Sequence, residues 1–367
     1  MLTDPKPGIL DISPYVGGRA GVAGVSKVIK LSSNESPIGP SPKAVAAIQE
    51  AAASLALYPE GSALLLRQAI AEVHHINPDR IVTSGEGSGA LITMLANAYL
   101  QPGDECLFSR HAFLLYEIAV RANSAVPIMA PEKDTNHGWK LDVDAMLAAV
   151  TPKTRLVYVA NPNNPTGTYL NRDEMARLHA GLPDHVLLVI DSAYAEYVTA
   201  KDYEAGLEMA SRMPNVVMTR TFSKLYGLAG LRIGWMLAPE KVCDVVNRIR
   251  GPFNTSLMQQ LAGAAAVRDR EHFWKAVEHN SKWLPWIIAE LRKTGLRVDD
   301  SVANFVLIHF PADGDKTAAK ADAFLNKNGV ILRGVGSYGL PDCLRMTVGT
   351  EDENRLAMSL LQKFMAQ

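Results

Sequence analysis

Cysteine is scarce in this chain: three residues in 367, Cys106, Cys243 and Cys343, far apart and without a C-x-x-C pair. An odd, scattered set excludes a disulfide framework and the usual zinc spacings, and it suits a reducing compartment. Net charge is equally scarce. Lys and Arg number 37 against 38 Asp and Glu, with no basic block or acidic tail, so charge gives no reason to expect nucleic acid or a membrane surface as partner. The longest mostly apolar stretch, around 90–100, falls short of the roughly 20 residues a membrane-spanning helix needs. The opening residues, Met1-Leu2-Thr3-Asp4-Pro5-Lys6-Pro7, lack the charged-then-apolar pattern of a secretory signal. A cytoplasmic protein that binds no metal is the expectation.

What is present is an ordinary globular composition, 48% hydrophobic and 20% charged. At 367 residues the chain exceeds the roughly 250–300 at which one hydrophobic core stops growing, which predicts two domains. From about 60 to 250, short β-branched runs alternate with helical patterns, the mark of an α/β sheet with crossover helices. The predicted strands are Arg80–Thr83, Glu105–Phe108, Ala125–Met129, Arg155–Ala160, Val186–Ile190, Val216–Thr219 and Ile233–Leu237. Several are apolar on both faces, as a sheet covered by helices on both sides requires. A helix is predicted over 88–100, closed by Gln101-Pro102-Gly103. Beyond about 255 the pattern changes to a long helix, His272–Lys293, which Pro285 should kink or split. Then follow strand Phe305–His309, helix Thr317–Lys327, strands Val330–Leu332 and Leu344–Val348, and a last helix from Glu351. The expectation is a large domain over 31–255 and a smaller α+β domain made of 1–30 and 256–367.

Ligands in open α/β sheets collect at the carboxyl ends of strands, and here polar residues follow strand ends repeatedly. After Ile81-Val82-Thr83 comes Ser84-Gly85-Glu86-Gly87-Ser88-Gly89. Its glycines let a backbone approach an anion at a helix start, although it lacks the G-x-x-x-x-G-K-[ST] of a P-loop. After Val157-Tyr158-Val159-Ala160 comes Asn161-Pro162-Asn163-Asn164-Pro165-Thr166-Gly167, a rigid turn presenting asparagine amides. Asp191 ends an apolar strand, where a carboxylate is costly unless paired, and Tyr194 lies three residues on. A helix-capping aspartate is the plainer reading; an anion that keeps a pyridine nitrogen protonated is the functional one. A lysine after a strand is ordinarily a solvated side chain. Lys224, however, follows Val216–Thr219 with Ser223 before it and Arg232 eight residues on, groups able to bind phosphate.

These motifs, in this order, resemble those of the fold-type I pyridoxal 5′-phosphate (PLP) aminotransferases: Asn-Pro-x-Asn-Pro-Thr-Gly, Asp-x-Ala-Tyr and Ser-Lys-x-x-Gly-Leu-Ala-Gly-Leu-Arg. Within that family the chain looks most like the histidinol-phosphate aminotransferases, through Asn34-Glu35-Ser36-Pro37, Tyr58-Pro59-Glu60-Gly61 and the stretch Tyr338–Gly349. The likeness runs from about residue 9 to 360. It implies the family's fold, a mostly parallel seven-stranded sheet with a smaller α+β domain, and a homodimer with shared active sites.

Carried over position by position, the resemblance implies that Lys224 binds the cofactor covalently and moves the proton. Asp191 pairs with the pyridine nitrogen, while Asn164 and Tyr194 bond the ring hydroxyl. Phe113 stacks on the ring. The backbone of Gly87 and Ser88, with Thr221, Ser223 and Arg232, holds the phosphate, and Tyr58 reaches it from the other subunit. Tyr15, Asn34, Arg333 and Arg345 line the substrate end, the arginines binding phosphate or carboxylate. Burial and Arg232 are expected to lower the lysine's proton affinity. The chain departs from the family pattern at Gly89-Ala90, where Asp-Glu is usual, at Ser192, where Glu is usual, and at Phe113, where Tyr is usual.

The implied reaction is amino transfer between L-histidinol phosphate and 2-oxoglutarate, in histidine biosynthesis. An aromatic amino acid aminotransferase is the alternative, since a pocket for imidazole also suits phenyl rings. A PLP decarboxylase of a phosphorylated amino acid is another. A non-catalytic PLP-binding regulator would carry an N-terminal DNA-binding domain, for which the segment before Asn34 is too short.

Overall fold

The computed structural model describes residues 4–15, 17–19, 21 and 28–367. All seven apolar runs of the first part become strands: β1 Ile81–Ser84, β2 Glu105–Ser109, β3 Val126–Ala130, β4 Thr154–Ala160, β5 Leu187–Asp191, β6 Val216–Thr221 and β7 Gly234–Leu237. They form one sheet in the order β1-β7-β6-β5-β4-β2-β3, in which β7 is antiparallel to both neighbours and every other pair is parallel.

Alternate residues of the central strands enter different cores. Val157, Leu188, Ile190 and Met218 pack on one face with Leu66, Ile70 and Leu178. Leu156, Tyr158, Val189 and Val217 pack on the other with Leu91, Ile92 and Leu95. Double-sided burial is why these runs read as continuously apolar. Parallel strands put their carboxyl ends on one edge, and β7 enters from that edge, with Gly234 opposite both Ser84 and Thr221. The polar turns after Ser84, Ser109, Ala160, Asp191 and Thr221 therefore converge with the turn before Gly234. The helix Ser88–Tyr99 starts at the same edge.

The second part is a four-stranded antiparallel sheet ordered Arg297–Val298, Phe305–His309, Leu340–Thr347, Arg333–Val335. Helices Ala318–Lys327 and Glu351–Ala366 close its core around Leu344, Met346 and Leu361, the last helix starting in a capping box of Thr350 and Glu353. Val330–Ile331 turns away to pair in parallel with Ile29–Lys30. The predicted grouping of 1–30 with this part also covers residues 1–3, 16, 20 and 22–27, which lie outside the described residues. Earlier still, Ser124 Oγ donates to the Pro7 carbonyl at 2.8 Å, so that stretch touches the large sheet's side of the molecule.

Two features refine the expectation. The long helix is not split: Arg270–Arg292 runs through Pro285. A proline inside a helix costs about 3 kcal/mol, but Trp283, Leu284, Ile287 and Leu291 are buried on either side of it. Each such side chain contributes about 1.5–3 kcal/mol when fully buried, so packing wins. The change of core also comes later than residue 255. Helix Leu257–Arg268 places Ala262, Ala264 and Val267 in the large-sheet core, followed by Phe273 and Val277, and only from Trp283 does the chain join the smaller core. Among the described residues, no helix is long and apolar enough to cross a membrane.

Candidate active site

A cavity of about 670 Å³ opens where the strand ends converge, bounded on its far side by the antiparallel sheet. Of the fifteen residues singled out in the sequence, it is lined by Tyr15, Asn34, Ser88, Phe113, Asn164, Asp191, Tyr194, Thr221, Ser223, Lys224, Arg232, Arg333 and Arg345. Gly87 sits just behind the wall. Tyr58 stands away from it, 83% exposed, its ring stacked on Phe253 at 4.6 Å.

Asp191 closes β5 and is buried, with Thr219 opposite it on β6. Thr219 Oγ1 donates to one carboxylate oxygen and the Tyr116 phenol to the other, both at 3.0 Å. Tyr116 is held by stacking on Tyr158, centroids 4.8 Å apart. Burial pushes the Asp191 carboxyl up from its ordinary range, while Tyr116, Thr219 and the Lys224 charge pull it back down. A cation set against it would complete the pairing that burial demands.

The opposite end is built for an anion. Arg232, at φ 57°, donates from Nη1 to Ser223 Oγ at 3.1 Å and from Nη2 to the Glu86 carbonyl at 3.2 Å. Thr221 Oγ1 donates to Ser223 Oγ at 2.9 Å. Ser88 begins its helix without a side-chain cap, so first-turn N–H groups face the cavity end. The backbone role expected of Gly87 needs correction. Its N–H already donates to the Arg232 carbonyl at 2.9 Å. What the position supplies is space: Gly87 has φ 83°, and a Cβ there would lie 2.6 Å from Arg232 Nη2.

Lys224 lies between the two ends. Its Nζ donates to the Ser33 carbonyl at 3.2 Å and sits 5.6 Å from the Tyr194 ring centroid. Burial lowers its pKa to about 7, and Arg345 is the leading charge acting in the same direction. Arg232, the cation expected to do this, ranks behind it, and Glu35 opposes both. The Tyr194 hydroxyl accepts from Asn34 Nδ2 at 2.9 Å. Burial raises its phenol to about 12, so at neutral pH it keeps its proton and can donate it.

Arg333 and Arg345 are directly opposite one another on adjacent antiparallel strands. Arg345 is buried, donating to Asn164 Oδ1 from one terminal nitrogen and to the Ser32 carbonyl at 2.9 Å from the other. Tyr15 and Tyr338 lie on the same side of the cavity. The departures from the family pattern are absorbed locally. Ser192 Oγ donates to the Ala205 carbonyl at 2.7 Å, and a Cβ on Gly89 would come within 2.9 Å of Leu115.

Tyr116, Thr219 and Tyr338 were not singled out in the sequence. Thr219 was legible from strand register, two residues before the end of β6. Tyr116 carried only the signal of an aromatic one helical turn from Phe113. The assembled donor set fits PLP: a buried acid for a cationic ring nitrogen, a basic hydroxyl-rich cradle for a phosphate, a phenol for the ring oxygen, and a lysine of lowered proton affinity between them.

Residues 26–361 match the family of class I and II aminotransferases. A histidinol-phosphate aminotransferase of Rhodopseudomonas palustris (strain TIE-1) is 54% identical over 364 residues, 99% of this chain and 98% of that protein. One from Nitrobacter hamburgensis is also 54% identical over 364 residues, with the same coverage of both chains. Among solved structures, the histidinol-phosphate aminotransferase of Sinorhizobium meliloti in complex with pyridoxal-5′-phosphate is similar with a TM-score of 0.87 at 28% identity, covering 98% of this chain and 96% of that one.

Proposed function

This chain belongs to the class I and II aminotransferase family, and on that premise we propose that it moves an amino group between L-histidinol phosphate and 2-oxoglutarate. The observation that carries the substrate is the facing pair Arg333 and Arg345 at one end of the cavity. Like charges directly opposite on a sheet repel, and a doubly charged phosphate or a carboxylate between two guanidinium forks turns that repulsion into binding. The same pair then serves the phosphate of the amino donor and a carboxylate of the oxo acid in turn. The relatives' activity and their 54% identity support this reading.

PLP, when bound, supplies an electron sink for the charge left on the substrate carbon. Ser88, Thr221, Ser223 and Arg232 would hold its phosphate, Asp191 its ring nitrogen, Asn164 and Tyr194 its ring oxygen, and Phe113 its face. Lys224 would attach it. Its free Nζ would be the base that takes the substrate's α-proton and the acid that returns it, a role suited to a pKa near 7. Tyr15 would close the substrate end from the N-terminal segment. We also propose a cytoplasmic homodimer. Leu55, Leu57 and Tyr58 are exposed together, an apolar surface suited to a second copy, in which Tyr58 would reach the partner's phosphate site. In this reading the large unit extends past 255 into the helix Arg270–Arg292, where the cores change.

The test is kcat/KM with 2-oxoglutarate for three amino donors: histidinol phosphate, phenylalanine and tyrosine. A preference for histidinol phosphate of about a hundredfold or more, the worth of one buried charged contact, is expected. A preference for either free aromatic acid would overturn the assignment.

A further inference from the structure

Behind the cavity wall lies a buried histidine that the chemistry above does not use. His111 is 5% exposed and follows β2 by two residues. Its Nδ1 lies 2.6 Å from the Tyr338 carbonyl oxygen. A carbonyl only accepts, so Nδ1 carries the proton and donates it. The backbone carbonyl of His111 accepts from Asn163 Nδ2 at 3.0 Å, next to Asn164 in the cavity. The imidazole is packed as well as bonded, edge-on to Trp139 at 5.2 Å, and a Cβ added to Gly339 would lie 3.4 Å from it.

His111 thus has its main chain tied to the turn that presents Asn164 and its side chain tied to the turn Gly336–Tyr338. The first belongs to the large sheet. The second joins strand Arg333–Val335 to strand Leu340–Thr347, the two that carry Arg333 and Arg345. Tyr338 is itself buried and lines the cavity. A bond to its carbonyl therefore fixes the corner from which both arginine strands hang.

We propose that His111 is a positioning residue for the amino donor, its Nδ1–H setting the spacing between the arginine-bearing turn and the Asn164 turn. This rests on the amino-transfer reading. It predicts that loss of the side-chain donor harms substrate binding and spares cofactor binding, because the link to the cofactor side runs through the main chain.

The test compares His111→Asn, whose Nδ2 falls where Nδ1 was, with His111→Leu, which puts a methyl there. KM and kcat are measured with whichever amino donor the wild type turns over fastest, and cofactor Kd by titration of the visible band. His111→Leu should raise KM about tenfold, the effect of leaving one buried carbonyl unpaired, with cofactor Kd within about twofold. His111→Asn should return KM to within about threefold of wild type. An unchanged KM in His111→Leu, an equal loss in both variants, or a fall in cofactor affinity in step with KM would overturn the proposal. Should His111→Leu not fold, His111→Asn decides alone: near-wild-type KM supports the role, and a rise of about tenfold rejects it. If the preferred donor is not histidinol phosphate, the proposed substrate falls and the His111 comparison stands.

Discussion

Arg333 and Arg345 occupy one register position on neighbouring antiparallel strands, and both line a cavity whose other end also holds an arginine. Their placement sets the first prediction. Arg333→Met should lower kcat/KM for a phosphorylated amino donor about tenfold to a hundredfold, the range for hydrogen bonds to a charged group. Inorganic phosphate should inhibit the wild type competitively against that donor and inhibit the variant more weakly. Steady-state inhibition patterns check both.

A second prediction concerns Lys224 in the cofactor-free protein. Its reactivity toward an acylating reagent, followed by mass spectrometry of its peptide, should rise with a midpoint at about pH 7. Arg345→Met removes a positive neighbour, which favours the ammonium and moves the midpoint up. Glu35→Gln removes a negative one and moves it down. Movement in the opposite sense would exclude these charges as the cause.

Tyr116→Phe tests the support of the buried acid. Asp191 loses one of two donors, which should cost about 1.5–3 kcal/mol of stability in urea unfolding of the cofactor-free protein. The lost donor also raises the carboxyl's proton affinity further. The acid-side loss of cofactor binding should therefore begin at a higher pH than in wild type, as titration of the visible band across pH would record.

Gly87→Ala should weaken cofactor binding without unfolding the chain. The position has φ 83° and ψ −178°, a region essentially confined to glycine that costs another residue about 1–3 kcal/mol. The added Cβ would also push on the Arg232 guanidinium. A cofactor Kd raised about tenfold or more is expected. An unchanged Kd would show that Arg232 tolerates displacement.

The legible parts of this molecule were those where chemistry is local. Val186–Ile190 announced a buried strand because both its faces are apolar. Asp191 stood out because a carboxylate after such a strand needs a reason, and Lys224 because Ser223 and Arg232 flank it. What escaped were relations between distant segments. No pattern near Gly234 says that β7 runs against its neighbours. The small hairpin Glu132–Thr135 with Gly138–Leu141 is too short and polar for periodicity to mark. Arg345, more than a hundred residues from Lys224, outranks the nearby Arg232 as the charge lowering that lysine's pKa. Tyr116 and His111 matter through partners at Asp191 and Tyr338, which sequence spacing does not connect.

The proposed function stands on Lys224, at the convergence of the strand ends, as the point of cofactor attachment. Borohydride trapping of the holoenzyme, followed by digestion and mass spectrometry, tests it directly. Pyridoxyl label is expected on the peptide carrying Lys224 and should disappear in Lys224→Ala. Label on another lysine, or none in wild type under cofactor-replete conditions, would contradict it.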